Sequence, residues 1–123
     1  MIVIGVDVHK HTSTAVAVDE LGPPLGEVSA ADPGELLAWS ESLVGVRLWA
    51  LEDCRHVTRG LERALVDAGE RLVRVPPRLT APERRRGRSR GKSDQIDALA
   101  IARAALREPS LDSLGPARRH CGN

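Results

Sequence analysis

The first ten residues, Met1-Ile-Val-Ile-Gly-Val-Asp-Val-His-Lys10, decide the fold. A continuous run of Ile and Val is typical of a strand that is buried on both faces of a sheet. Asp7 lies inside this run, and because an unpaired carboxylate is costly to bury, we expect it to be paired, hydrogen-bonded or bound to a cation. Two interpretations stay open here. Asp7 is either a strand-end residue that accepts backbone N–H bonds in the following turn, or a metal ligand.

Composition narrows the class of protein. A chain of 123 residues is the size of one domain, and its only aromatic residues are Trp39 and Trp49, so the core must consist of Val, Leu, Ile and Ala. Two cysteines, Cys54 and Cys121, are too few for a disulfide framework and indicate a reducing compartment. Because no apolar stretch is long enough to span a membrane and no basic leader precedes the first strand, we expect a cytoplasmic protein without a membrane partner.

Hydrophobic patterning predicts an α/β domain with the order βββαβαβ, then a basic loop and a last helix. The first strand lies within the opening ten residues. Further strands are expected over 13–20, 25–30, 47–52 and 71–75, and helices over about 33–43, 57–68 and 93–106. Gly69 is placed to end the second helix.

The segment 78–92 differs sharply from its surroundings. It contains seven basic residues and one acid, Glu83, and it shows no apolar periodicity, which predicts a loop. A solvated surface loop and a nucleic-acid contact are the two interpretations. The clustering favours the second, and the lack of aromatic residues favours contact with phosphates over base stacking. The candidate nucleic-acid-binding residues are Lys10, Arg84, Arg85, Arg86, Arg88, Arg90 and Lys92. Lys10 is equally interpretable as an exposed turn lysine.

Four acids stand at the ends of predicted elements. The fourth strand ends in Glu52, as the first ends near Asp7, and the last helix begins with Asp94 and Asp97, which lie on one side of its first turn. The helix macrodipole alone favours such acids by about 0.3–1 kcal/mol, so this pair has a purely structural explanation too. Together, four oxygen ligands suit Mg²⁺ or Mn²⁺. The His and Cys residues lack the spacing of a zinc site.

Three segments, taken in order, resemble a known family. They are Gly5-Val-Asp-Val-His-Lys10, Ala50-Leu-Glu-Asp-Cys54 and Gly91-Lys-Ser-Asp-Gln-Ile-Asp-Ala-Leu-Ala-Ile-Ala102. They are similar to the three motifs of the DEDD insertion-sequence transposases of the "one-ten" family, which are bridge-RNA-guided recombinases. The resemblance covers the chain up to about Ser113. It implies an N-terminal RuvC-like domain of ribonuclease H fold over residues 1–113, with a mixed five-stranded sheet, flanking helices and the basic loop 78–92 inside it. The tail 114–123 is expected to be disordered.

The resemblance also implies a reaction. The matching positions are Asp7, Glu52, Asp94 and Asp97, which would be the catalytic acids and the ligands of two Mg²⁺ or Mn²⁺ ions in DNA strand cleavage and transfer. The expected partners are DNA, a structured bridge RNA and further copies of the chain. In the family a C-terminal domain supplies a serine nucleophile. Because this sequence ends before such a domain, we expect a truncated transposase that is unable to complete recombination alone, and its status as an enzyme stays open.

Two other classes of function stay open from the sequence. The first is a catalytically silent fragment that binds nucleic acid or another protein. The second is a nucleotide-binding domain of the ATPase type, which shares the fold and also begins with Gly-x-Asp on its first strand. Such ATPases need a second phosphate loop and a much longer chain, which disfavours this interpretation.

Overall fold

The structure is a computed structural model that describes residues 1–21, 23–52, 56–87, 94–108, 111 and 113–114. Its elements, in chain order, are β1 (Ile2–Val8), β2 (Ser13–Asp19), β3 (Pro24–Ala30), α1 (Pro33–Ser40), β4 (Arg47–Glu52), α2 (His56–Asp67), β5 (Leu72–Val75), α3 (Pro77–Gly87), α4 (Asp94–Arg107) and β6 (Ser113–Leu114). Within these residues, none of the helices is long and apolar enough to cross a membrane.

The strands form one mixed sheet in the order β3-β2-β1-β4-β5-β6. The first three strands make an antiparallel meander, whereas β4 pairs parallel with β1, and β5 pairs parallel with β4. The sequence of β1 is a nearly continuous apolar run because the strand lies near the middle of the sheet and helices cover both of its faces. The carboxyl ends of β1, β4 and β5 therefore point to the same edge of the sheet.

Two apolar layers hold the sheet between its helices. On the face that packs against α1 and α2, the buried side chains include Ile4, Trp49 and Leu65. On the opposite face, Val3 and Ala50 pack against Ile101 and the alanines of α4. Alternation along each strand therefore assigns odd-numbered residues of β1 and even-numbered residues of β4 to the α4 face.

The predicted fold class is confirmed. The five predicted strands and the helices near 33–43, 57–68 and 93–106 are present, with boundaries that differ by a few residues. Gly69 has a φ of 82° directly after α2, so it supplies the left-handed conformation that ends this helix. A sixth strand, β6, adds Leu114 beside Leu72 at the edge of the sheet. The sequence had predicted a domain over residues 1–113 and a tail over 114–123, so Leu114 was expected in the tail. Residues 115–123 lie outside the described residues.

The prediction of a basic loop over 78–92 is wrong for residues 78–87, which belong to helix α3. Two features explain the helix. Pro77 occupies its first position, where a missing N–H costs nothing, and Arg, Leu, Ala and Glu all have high helix propensity. Leu79 packs against the α4 layer and Thr80 is fully buried, so the helix has an inner side that the charge pattern concealed. Residues 88–93 lie outside the described residues.

A polar cluster ties together the end of the sheet that is remote from the predicted acids. The Arg47 guanidinium donates to Glu70 at 2.7 Å and 3.3 Å, and the indole N–H of Trp49 donates to the same carboxylate at 2.9 Å. Burial acts to raise the pKa of Glu70, but these hydrogen bonds outweigh it and hold the pKa below its usual value. The cluster therefore joins β4 to the turn before β5 while satisfying the buried indole.

Helix α4 approaches the sheet very closely at Gly5. A Cβ atom on this residue would collide with the carbonyl oxygen of Ala98 and lie 2.6 Å from the backbone nitrogen of Ala102. The helix backbone therefore rests directly on β1, with only small side chains between them. Glycine is required at this position because there is no room for a Cβ atom between β1 and the backbone of α4.

We predict that Gly5→Ala lowers the free energy of unfolding by about 1–3 kcal/mol or more, since the added methyl group meets backbone that cannot rotate away. Urea denaturation followed by circular dichroism measures this. Gly60→Ala is the matched control, because Gly60 lies within α2 with nothing near its missing Cβ. That change should be neutral or stabilising by about 0.5–1 kcal/mol. Equal stability of Gly5→Ala and the wild type would contradict the prediction.

Candidate active site

Two of the four predicted acids lie side by side at the carboxyl ends of neighbouring parallel strands. The last register pair between β1 and β4 is Val6 with Leu51, so Asp7 and Glu52 are the next residues of the two strands. Both continue the α4 face of the sheet, on which Val3 and Ala50 are packed. Because neighbouring strands are about 4.8 Å apart, the two carboxylates are neighbours on one face.

The first turn of α4 comes to the same edge of the sheet. Ala98 lies above Gly5, whereas Ala105 and Leu106, near the helix end, line a cavity with Met1 at the start of β1. Helix α4 therefore runs antiparallel to β1 and begins over the strand ends. Its first turn carries the other two predicted acids.

Asp97 is half-buried in that first turn. Asp94 is the first residue of α4, but its side chain lies outside the described part of the chain. The backbone thus brings all four predicted positions to one edge of the domain, although the side-chain arrangement is described for three of them.

Asp7 is almost fully buried, with 9% of its surface exposed. Its Oδ2 lies 2.8 Å from Nε2 of His9, an exposed side chain in the turn between β1 and β2. To donate this hydrogen bond, the imidazole must carry a proton on Nε2, either as that neutral tautomer or as the cation. His9 therefore supplies part of the compensation that a buried carboxylate requires.

Glu52 is half-buried, and its partner comes from helix α3. The Thr80 hydroxyl lies 2.5 Å from Oε2 of Glu52 and 3.0 Å from the carbonyl oxygen of Pro77. Thr80 itself is completely inaccessible to solvent. A buried hydroxyl thus connects the start of α3 to the end of β4.

Sequence reasoning missed both of these partners. His9 was weighed only among the His and Cys residues that lack zinc-site spacing, although its position two residues after Asp7 in a turn was a local signal. Thr80 is 28 residues from Glu52 and fell within the expected loop, so no pattern in the sequence pointed to it. Contacts of this kind depend on how helices pack.

The predicted nucleic-acid-binding residues are only partly described. Lys10 is exposed in the turn beside Asp7. Positions 84–86 lie in α3, but their side chains are outside the described part of the chain, as are Arg88, Arg90 and Lys92 altogether. Consecutive helix positions are 100° apart, so positions 84–86 spread over about 200° of the circumference.

The donor set matches a hard divalent cation in chemistry, because carboxylate oxygens are the ligands that Mg²⁺ and Mn²⁺ prefer. Among the described side chains, no three His, Cys, Asp or Glu residues converge closely enough to hold one ion. The side chain of Asp94 is not among those described. The backbone placement of the four acids therefore fits a metal centre. Whether all four carboxylates meet at one ion depends on side chains that include the undescribed one of Asp94.

Comparison with known proteins decides the family. The family model described as "Transposase", which represents the DEDD transposases of the one-ten type, matches residues 4–121. The chain belongs to this transposase family. The resemblance that the three sequence motifs implied is thereby confirmed. No curated protein sequence matches this transposase chain.

Solved structures of RuvC from Thermus thermophilus share the fold of the transposase chain. One is described as the Thermus thermophilus RuvC structure and the other as RuvC in complex with a Holliday junction substrate. Each aligns with a TM-score of 0.68 and 15% identity, over 93% of this chain and 99–100% of the RuvC chain. At this identity the likeness concerns the fold, and it agrees with the RuvC-like architecture expected from the motifs.

Proposed function

We propose that this chain is the domain of a DNA transposase that performs metal-dependent cleavage of phosphodiester bonds. The observation that carries the proposal is that Asp7 and Glu52 directly follow Val6 and Leu51, the last register pair of two parallel strands, at the edge of the sheet where α4 begins. Membership of the transposase family supports DNA as the substrate. RuvC, which has the same fold, has been solved with a DNA junction and supports the same class of substrate.

Asp7, Glu52, Asp94 and Asp97 would hold two Mg²⁺ or Mn²⁺ ions. When bound, such ions stabilise charge on the attacking and leaving oxygens of a phosphodiester and lower the pKa of water. The protein's own contribution is to bring carboxylates from three elements to one edge and to hold them there. His9 and Thr80 do this for the two strand-end acids through hydrogen bonds.

The basic residues would position the nucleic acid. Lys10 is exposed in the turn that follows Asp7, and positions 84–86 belong to α3, the helix that also carries Thr80, the partner of Glu52. Contacts of this type bind phosphates without reading sequence. We propose that specificity comes from the structured bridge RNA of this family, that the active form is an oligomer, and that complete recombination requires a serine-bearing domain in addition to this one.

The metal centre is tested by titrating Mn²⁺ into the protein by isothermal calorimetry. Asp7→Asn, Glu52→Gln and Asp97→Asn should each weaken Mn²⁺ binding by at least about tenfold, which corresponds to ~1.4 kcal/mol. The reason is that each removes one charged ligand. Asp67→Asn is the matched control, because this acid is exposed on α2.

Unchanged Mn²⁺ affinity in all three site variants would refute the metal centre and favour the alternative, a binding module without catalysis. Metal binding that depends on the acids, combined with no cleavage of any DNA in the presence of Mg²⁺ or Mn²⁺, would instead restrict the proposal to metal binding.

The basic segment is tested by the salt dependence of DNA and RNA binding. We predict that the double variant Arg85→Gln, Arg86→Gln makes the plot of log binding constant against log salt concentration less steep. The magnitude of its slope should fall by about 1–2, since each lost phosphate contact contributes roughly 0.7–0.9. Arg59→Gln with Arg63→Gln removes the same charge from the exposed side of α2 and should leave the slope nearly unchanged. Equal slopes for both double variants would show that binding depends on net charge alone.

A further inference from the structure

We infer that Thr80 is a positioning residue of the metal centre, which holds the Glu52 carboxylate in place from helix α3. This inference rests on the proposed function, because it assigns Thr80 a role toward a ligand of the proposed metal ions. It goes beyond the four acids by adding a side chain that does not touch the metal.

The hydrogen bond is built to be strong. The Thr80 hydroxyl has one proton, and the acceptors within reach include Glu52 Oε2 at 2.5 Å and the Pro77 carbonyl oxygen at 3.0 Å. A charged carboxylate is the better acceptor, and hydrogen bonds to ionised groups are shorter and about twice as strong as neutral ones. The proton is therefore directed to Glu52.

Burial makes the contact specific. Thr80 has no exposed surface, so no solvent competes for its hydroxyl. Its neighbour Leu79 packs against the apolar layer beneath α4, which fixes the first turn of α3 relative to the sheet. The hydroxyl is thus held by the fold itself and presents a fixed donor at the end of β4.

Glu52 needs such a partner more than the aspartates do. A glutamate side chain has three rotatable bonds, and Glu52 is the last residue of β4, where neighbouring strands no longer constrain the chain on both sides. A hydrogen bond to one oxygen fixes the orientation of the carboxylate. Partners of this kind in metal sites typically change metal affinity by 10–100-fold when they are removed.

The chain offers a closely matched comparison. Thr58 is also buried, at 2% exposure, and its hydroxyl lies 3.4 Å from Oε2 of Glu62, a second carboxylate. Glu62 pairs with Arg74, which sits opposite Leu51 in the sheet and so lies on the face away from α4. Thr58 and Thr80 thus have similar burial and chemistry but lie on different sides of the sheet.

The test is the Mn²⁺ affinity of Thr80→Val, Thr80→Ser and Thr58→Val, measured by calorimetry with thermal unfolding as the check of folding. Valine keeps the shape of threonine and removes the hydroxyl, whereas serine keeps the hydroxyl. We expect Thr80→Val to weaken Mn²⁺ binding by roughly 10–100-fold, and Thr80→Ser and Thr58→Val to bind like the wild type. If Thr80→Val does not fold, Thr80→Ala replaces it with the same expected loss.

Wild-type affinity in folded Thr80→Val, or an equal loss in Thr58→Val, would overturn the role of Thr80. Asp7→Asn, titrated in parallel, separates this failure from that of the proposed function. If Asp7→Asn loses Mn²⁺ and Thr80→Val does not, only the inference about Thr80 fails. If neither variant differs from the wild type, the metal centre fails, and the inference fails with it.

Discussion

The contact on which the rest of the structure depends is the direct seating of helix α4 on strand β1 at Gly5. The backbone of Ala98 and Ala102 approaches the strand so closely that no Cβ fits between them. This contact fixes the distance between the helix and the sheet. Because α4 runs antiparallel to β1, its first turn is placed over the strand ends, where Asp7 and Glu52 are neighbours. The geometry of the proposed active site therefore follows from strand pairing together with helix packing.

Bringing carboxylates together opposes stability, because like charges repel and buried charges are costly. The structure offsets this cost locally, with His9 on Asp7 and Thr80 on Glu52. The rest of the domain supplies rigidity elsewhere: the two apolar layers hold the sheet, and the cluster around Glu70 fastens its remote end. A metal ion at the acids would remove the remaining repulsion. The parts of the domain that stabilise the fold thus lie away from the edge that carries the acids, and the charges of that edge suit a cation.

Much of this arrangement could be predicted from the sequence, for reasons that differ between elements. The β-branched run of β1 predicted a buried strand of the sheet, and the resemblance of the three motifs to the transposase family implied that Asp7 and Glu52 belong to one site. The parallel pairing of β1 with β4, which makes them neighbours, came from the structure. Helix α3 was missed because its arginines were interpreted only as mutually repelling charges, while its apolar contacts come from a few residues such as Leu79. Thr80 could not be predicted at all, since its contact exists only after α3 has packed.

The most direct test of the account is a crystal structure of the protein grown with Mn²⁺, with the ion located by its anomalous scattering. The account predicts an anomalous peak at the carboxyl ends of β1 and β4, with carboxylate oxygens of Asp7 and Glu52 about 2.0–2.2 Å away, a distance typical of small divalent ions with oxygen ligands. It also predicts that Asp94 and Asp97 reach the same centre from α4. Mn²⁺ bound only elsewhere on the protein, with this edge unoccupied at saturating metal, would contradict it.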